Sequence, residues 1–205
     1  MASVLSQPVT TVASPVLAAA PRRFALGYAV VLAIFATSPF WLSAVGLYQY
    51  LALEVLIWSM YALGYNLLLG YGGLPSFGHG AFFGIGAYAA GLALKHADAG
   101  LLAGMAAAIA AAATLGALVA AFISHRRGIY YALMTIAFGQ LAWFVSIKWH
   151  SVTGGEDGLL NIPRPPLDLG FVQVSLSSHA ALFYFALVLF AVIAWALWYL
   201  IDTPF

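Results

Sequence analysis

The sequence has no cysteine and very little charge. Among 205 residues there are 7 Lys or Arg and 6 Asp or Glu, and the formal net charge is +1. The absence of cysteine excludes disulfides, thiol catalysis and thiolate metal sites. A net charge so close to zero provides no field that would gather nucleic acid, so a nucleic-acid partner has no electrostatic support.

Apolar residues dominate the rest of the chain. They make up 64% of the sequence, against 6% for charged residues, and the mean hydropathy is +1.00. A soluble domain has about a quarter of its residues charged, and no water-soluble fold could bury this much apolar surface. The apolar runs lack the alternation of a transmembrane barrel. The sequence therefore predicts an all-α, polytopic integral membrane protein.

Six apolar segments are predicted to cross the bilayer, which needs about 20 largely uncharged residues for each helix. They cover approximately residues 24–45, 48–69, 80–94, 101–123, 129–149 and 179–201. Pro39 is expected to kink or end the first helix. The transmembrane domain is predicted over residues 22–205, after a disordered cytoplasmic tail at 1–21 that is rich in Ser, Ala, Pro and Thr.

The positions of Lys and Arg predict the orientation, because these residues are retained on the cytoplasmic side. Arg22, Arg23 and the segment 125–127 are placed inside, whereas Lys95, Lys148 and Arg164 fall outside. Both termini are therefore predicted to be cytoplasmic. Small residues in the third and fourth segments favour close helix packing; they are Gly80, Gly84, Gly86, Gly91 and the alanine runs 106–108 and 110–113.

A glycine-rich stretch from Asn66 to Gly80 contains five glycines and Pro75, which predicts a break between helices two and three. In transporters such breaks supply free backbone groups at substrate sites, and irregular backbone at membrane depth is tolerated only where protein or water covers it. An ordinary cytoplasmic turn is the other interpretation. The candidate substrate-path residues here are Asn66, Gly70, Gly73, Ser76, Gly78 and His79.

Ser76 and His79 also suggest a hydrolase, because serine with a histidine base is a familiar nucleophile arrangement. The spacing opposes it: one residue too many precedes the serine for the G-x-S-x-G turn. There is no H-E-x-x-H motif for a metal site. No catalytic residue, no metal site and no cofactor in this chain are expected, and the protein is predicted not to be an enzyme.

Two further helices carry polar candidates for the substrate path. Glu54, Trp58 and Tyr61 share one face of helix two, together with Tyr65. This face lines a solute path in one interpretation; in the other, Glu54 reaches the interface or pairs with another helix. Thr135 and Gln140 on helix five are candidates for a second wall.

Three blocks of the sequence closely resemble branched-chain amino-acid ABC transporter permeases of the M type. They are YALGYNLLLGYGGLPSFGHGAFFGIGAY at 61–88, RGIYYALMTIAFGQ at 127–140, and TGGEDGL with IPRP at 153–165. The resemblance implies a permease subunit of an importer in the bacterial cytoplasmic (inner) membrane. Its solute would be a branched-chain or related amino acid, delivered by a periplasmic binding protein.

The resemblance also implies partners. They are a homologous second permease subunit, two ATP-binding cassette ATPase subunits that hydrolyse ATP, a periplasmic solute-binding protein and membrane lipid. Relatives that carry urea, amides or aromatic acids, and an ATP-independent secondary transporter or channel, remain alternatives. In the family, the segment like Leu200–Phe205 leads into a cytoplasmic helix that contacts the ATPase and then into further membrane helices. The chain is therefore expected to be the first two thirds of a permease: a truncated gene product, a fragment or a chain completed elsewhere.

The outer loop, residues 150–178, is rich in turn-forming and acidic residues followed by prolines. It lacks the G-K-[ST] ending of a nucleotide loop. Given the binding protein that the resemblance implies, we expect this loop to be its docking surface. The candidate docking residues are Thr153, Gly154, Gly155, Glu156 and Asp157.

Overall fold

Helices dominate the computed structural model, which describes residues 21–97, 99–126, 128–168 and 173–202. The predicted tail at 1–21 lies, apart from Pro21, outside the described residues, as do Arg127 and Phe205. The α-helices are α1 (Pro21–Ala44), α2 (Gln49–Asn66), α3 (His79–His96), α4 (Leu101–Ile123), α5 (Ile129–Lys148), α6 (His150–Thr153) and α7 (His179–Asp202). A π-helix (Leu67–Tyr71) extends α2, and a 3-10 turn (Gly155–Asp157) follows α6. Strands β1 (Leu167–Asp168) and β2 (Gln173–Val174) form a small antiparallel pair in the outer loop.

Four of the described helical segments are long and apolar enough to cross a membrane. They are Tyr50–Tyr71, Leu101–Ile123, Ile129–Lys148 and His179–Ile201, and Leu26–Leu42 is a shorter apolar helix. Helix α3 has 18 residues and includes four glycines and two histidines, which lower its hydropathy. Large apolar side chains such as Ile109, Phe122 and Val188 are exposed on the helix surfaces, as lipid contact requires. The prediction of an all-α, multi-pass membrane protein is confirmed.

Helix α1 continues through Pro39 to Ala44, so of the two expected effects of this proline, a kink or an end, the helix does not end there. A proline inside a helix removes the hydrogen bond to the carbonyl four residues earlier, here that of Phe35. The hydroxyl of Ser38 donates a 2.7 Å hydrogen bond to that same carbonyl oxygen. The neighbouring side chain therefore satisfies the group that the proline leaves free, which an apolar environment demands.

One packed group consists of α1, α2 and α7. Leu56 of α2 is completely buried in its core, beside Phe183 and Phe190 of α7. The ring of Phe35 lies 5.6 Å from that of Phe190, and the Tyr28 hydroxyl donates a 2.7 Å hydrogen bond to the carbonyl of Ala191. These contacts join residues far apart in the sequence and bring the first and last described helices together.

A second group consists of α3, α4 and α5. A Cβ atom at Gly86 would lie 3.5 Å from the carbonyl oxygen of Ala108 and 3.8 Å from the Cβ of Ala112, so the alanine-rich face of α4 packs closely on α3 as predicted. Gly80 and Gly84 make no such close contact within the described part of the chain. A Cβ at Gly84 would meet no atom within 4 Å, and one at Gly80 would meet only the Tyr61 hydroxyl, at 3.9 Å.

Candidate functional site

The predicted break between helices two and three is present. Helix α2 ends at Asn66, widens into the π-helix Leu67–Tyr71, and gives way to irregular backbone from Gly72 to Gly78. The amides of Gly72 and Leu74 donate to the carbonyls of Leu67 and Leu68, each at 3.1 Å. Gly73 has a φ of +61°, which side chains disfavour and glycine adopts freely. The glycines therefore allow the chain to turn back on itself here.

The end of this break contacts α5 at a residue within that helix rather than at its terminus. The Phe77 amide donates a 3.1 Å hydrogen bond to the Thr135 hydroxyl, which itself donates to the Ala132 carbonyl at 2.7 Å. Thr135 comes six residues after the start of α5, which corresponds to about 9 Å along the helix axis. The segment Gly72–Gly78 thus ends against α5 well beyond the start of that helix, and the chain is held there by a contact between distant residues.

Two glycines make the crossing of α3 and α5 close. A Cβ atom at Gly78 would overlap the carbonyl oxygen of Thr135, and one at Gly139 would lie 3.1 Å from the Cα of Gly78. Both residues are thus required to lack a side chain. Of the predicted path residues, the structure places Gly78 and Thr135 directly in contact.

An aromatic cluster surrounds His79 at the start of α3; its members are Trp58, Tyr61, Tyr65, His79, Phe82 and Phe83. The imidazole centroid lies 5.1 Å from the Tyr61 ring and 5.5 Å from the Tyr65 ring, and the Trp58 and Phe83 rings stack at 6.3 Å. The structure therefore brings together three predicted residues, Trp58, Tyr61 and His79. Phe82 and Phe83 were missed, although they lie three and four residues after His79, on the same face of a helix.

Glu54 lies outside the aromatic cluster and its side chain is exposed. Asn66, Gly70 and Gly73 are exposed as well, on or beside the π-helix. The side-chain amide oxygen of Asn66 would lie 2.7 Å from a Cβ at Gly70, which gives this glycine a local packing reason. These four predicted residues are therefore not gathered around His79.

Ser76 and His79 do not form a nucleophile and base pair. The Ser76 hydroxyl and the His79 Nδ1 are both buried, and neither has a hydrogen-bond partner, so they are not bonded to each other. Within the described ranges no group of three or more His, Cys, Asp and Glu side chains could hold a metal ion. Two buried polar atoms without partners within one turn are uncommon in folded proteins.

Two cavities lie beside the crossing of α3 and α5. The first, of about 510 Å³, has a mixed polar and apolar lining that includes Gly78 and Gln140. The second, of about 410 Å³, is almost wholly apolar and includes Gly78 and Thr135. Gln140 thus lines the same cavity as Gly78.

The outer loop after α5 has a well-defined backbone. The buried Thr153 hydroxyl lies 2.6 Å from the Ser146 carbonyl oxygen and accepts a 3.3 Å hydrogen bond from the Gly155 amide. Gly154, Gly155 and Gly158 have φ values of +81°, +66° and +68°. Thr153 and Gly155 are therefore structural, whereas Glu156 and Asp157 are exposed and accessible to a partner.

Two contacts attach this loop to the far end of α3, and we refer to them together as the loop clasp. The Lys95 ammonium donates a 2.9 Å hydrogen bond to the Leu160 carbonyl. A Cβ at the buried Gly91 would lie 3.1 Å from Cδ1 of Ile162 and 3.5 Å from Cδ1 of Leu159. Helix α3 consequently joins the outer loop at one end and the glycine-rich break at the other.

Comparison with known proteins identifies relatives. Residues 47–205 match a family described as the permease component of branched-chain amino acid transport systems. The chain is similar to the high-affinity branched-chain amino acid transport system permease protein LivM of Salmonella typhimurium, with 29% identity over 117 residues, and to that of Escherichia coli K12, with 31%. The match covers 57% of this chain and 28% of either relative. No solved structure matches the chain significantly.

Proposed function

Because the chain belongs to the family of permease components of branched-chain amino acid transport systems, we propose that it forms part of the transmembrane path of an ABC-type importer. Its solutes are branched-chain or related amino acids. The chain itself needs no cofactor, and ATP is hydrolysed on separate subunits. The matched relatives are transport permeases by name, which agrees with the absence of a paired nucleophile at Ser76.

The re-entrant break carries this proposal. Phe77 and Gly78 contact Thr135 of α5, and we infer from this contact that irregular backbone enters the membrane here, where it is tolerated only beside protein or water. The aromatic cluster and the mixed cavity of about 510 Å³ adjoin it. A membrane protein that needed only to anchor itself would have no use for this arrangement, whereas a solute path needs polar backbone and an open volume.

We further propose an assembly in the bacterial cytoplasmic membrane with both termini inside. The partners are a homologous second permease subunit, two ATP-binding cassette ATPases and a periplasmic solute-binding protein. The exposed Glu156 and Asp157 support a docking surface for the binding protein, because they project from a loop whose backbone is already fixed. Reversing both charges is expected to weaken transport that depends on the binding protein.

Reconstitution tests the proposal. The complete permease is placed in proteoliposomes with its second permease subunit, ATPases and binding protein, and uptake of radiolabelled leucine is measured with and without ATP. Uptake that requires both ATP and the binding protein supports an ABC importer. Uptake that persists in liposomes lacking the ATPase subunits would instead show an ATP-independent transporter or channel.

A further inference from the structure

The cavity of mixed lining begins directly beside the Gly78 and Gly139 contact and extends between α3 and α5. Its volume of about 510 Å³ falls in the range of small-molecule sites, about 300–1,000 Å³. Helix α3 contributes Gly80 and Gly84 to the lining, and α5 contributes Gln140 and Trp143. None of the side chains that line it is formally charged.

Gly84 leaves this cavity open without serving helix packing in the described part of the chain. A Cβ added there would meet no atom within 4 Å, whereas one at Gly86, on another face of the same helix, would approach the Ala108 carbonyl oxygen to 3.5 Å. The missing side chain of Gly86 is thus explained by α4. The missing side chain of Gly84 is explained by the cavity volume that its absence leaves free.

Gln140 indicates what fills that volume. It lies eleven residues into the 20-residue helix α5, near the middle of the predicted span, and its side chain is exposed. An amide that faced lipid at that depth would lose its hydrogen bonds. A helix packed onto the face of α3 that carries Gly80 and Gly84 would bury the Gln140 amide beside these glycines. A cavity that holds water or a polar solute satisfies the amide.

We propose that this cavity holds the transported solute during its passage and that Gly84 limits the size of the solute's apolar group. The uncharged lining accepts small net-neutral solutes, such as zwitterionic amino acids with an aliphatic side chain. A solute with net charge would be desolvated there without a compensating group. The inference rests on the proposed function, because it assigns the solute of that same path.

Substitution of Gly84 tests the size limit in the complete transporter reconstituted in proteoliposomes. We expect Gly84→Leu to reduce leucine uptake by about tenfold or more, since a side chain that fills a solute site excludes its ligand. Gly84→Ala is expected to reduce leucine uptake more than alanine uptake. Gly116→Leu is the matched control: Gly116 is also a helical glycine with no atom within 4 Å of an added Cβ, but it lines neither cavity.

Labelling tests access to the cavity independently of transport. Residues 1–205 contain no cysteine, so Gly84→Cys introduces a single thiol among them. We expect a small water-soluble thiol reagent to modify it in the assembled transporter, and saturating leucine to slow the modification. An unreactive thiol, or a rate unaffected by leucine, would overturn the proposal.

The remaining outcomes separate this inference from the proposed function. Unchanged leucine uptake in Gly84→Leu, alongside active unsubstituted transporter, refutes the cavity and leaves the importer intact. Loss of the partner subunit on purification of Gly84→Leu, but not of Gly116→Leu, shows that a helix occupies this face and likewise refutes it. Unsubstituted transporter that moves no amino acid refutes the proposed function itself.

Discussion

At the scale of single residues, Gly78 and Thr135 determine where α3 begins. The Thr135 side chain accepts a hydrogen bond from the Phe77 amide. The backbone carbonyl oxygen of Thr135 occupies the space that a side chain at Gly78 would need. The crossing of α3 and α5 therefore needs both the hydroxyl of Thr135 and the absence of a side chain at Gly78. The position is sensitive because interiors are packed closely enough for a single methyl group to matter.

Gly78→Ala should weaken this crossing. The added methyl group would overlap the Thr135 carbonyl oxygen, and overpacking of this kind typically costs about 1–3 kcal/mol. We expect a lower thermal unfolding midpoint of the detergent-purified protein. Gly116→Ala, where the methyl group meets nothing within 4 Å, provides the control. Equal midpoints for the two variants would contradict the close contact.

Thr135→Val should remove the acceptor for the Phe77 amide while keeping the shape of the side chain. An amide left without a partner in a buried position costs about 1–3 kcal/mol. Thr135→Ser retains the hydroxyl and is expected to be much less destabilised. Thermal unfolding of the two variants makes the comparison, and a serine variant as unstable as the valine variant would show that the methyl group, not the hydrogen bond, matters here.

At the scale of elements, the sequence predicted most helices well. The fourth segment was predicted at residues 101–123 and is observed as Leu101–Ile123, because glycine and charged residues flank a continuous apolar run. The break was predicted from its five glycines and proline. Its composition alone disfavours a regular helix, so distant contacts are not needed to anticipate it.

The depth and surroundings of the break could not be predicted from local composition. The hydrogen bond that holds Phe77 against α5 is made to Thr135, 58 residues further along the chain. For the same reason, the sequence treated Gly80, Gly84 and Gly86 alike, as packing glycines. Only the arrangement of α3 against α4 and α5 shows that Gly86 packs whereas Gly84 borders a cavity.

The loop clasp gives a prediction for α3 and the outer loop. Gly91→Val should displace Ile162 and Leu159, whose Cδ1 atoms lie 3.1 and 3.5 Å from an added Cβ. Local overpacking of about 1–3 kcal/mol would open the loop more often. We expect faster proteolytic cleavage within residues 154–166 in detergent. Gly116→Val serves as the control, and equal cleavage rates for both variants would argue against the clasp.

At the scale of the whole molecule, two packed groups of helices are joined through the break. Helices α1, α2 and α7 form one group around Leu56, and α3, α4 and α5 form the other around the glycine and alanine contacts. The chain passes from the first group to the second through Gly72–Gly78, where His79 meets Tyr61 and Tyr65. The aromatic cluster around His79 therefore lies where the two groups meet.

The orientation of the whole chain is open to a direct test, because its cysteine-free sequence allows single thiols to be placed at will. With both termini inside, Glu156→Cys should react with a membrane-impermeant thiol reagent in intact spheroplasts. Arg126→Cys, at the opposite end of α5, should react only after the membrane is permeabilised. The reverse pattern would invert the proposed topology.

Helix α3 has a mechanical consequence. It contains 18 residues without proline and so is about 27 Å long, with the loop clasp at one end and the Gly78 contact at the other. A regular hydrogen-bonded helix shortens or stretches very little, so the two ends of α3 keep a nearly constant separation. We therefore expect a displacement of the Leu160 region along the axis of α3 to move the backbone around His79 as well.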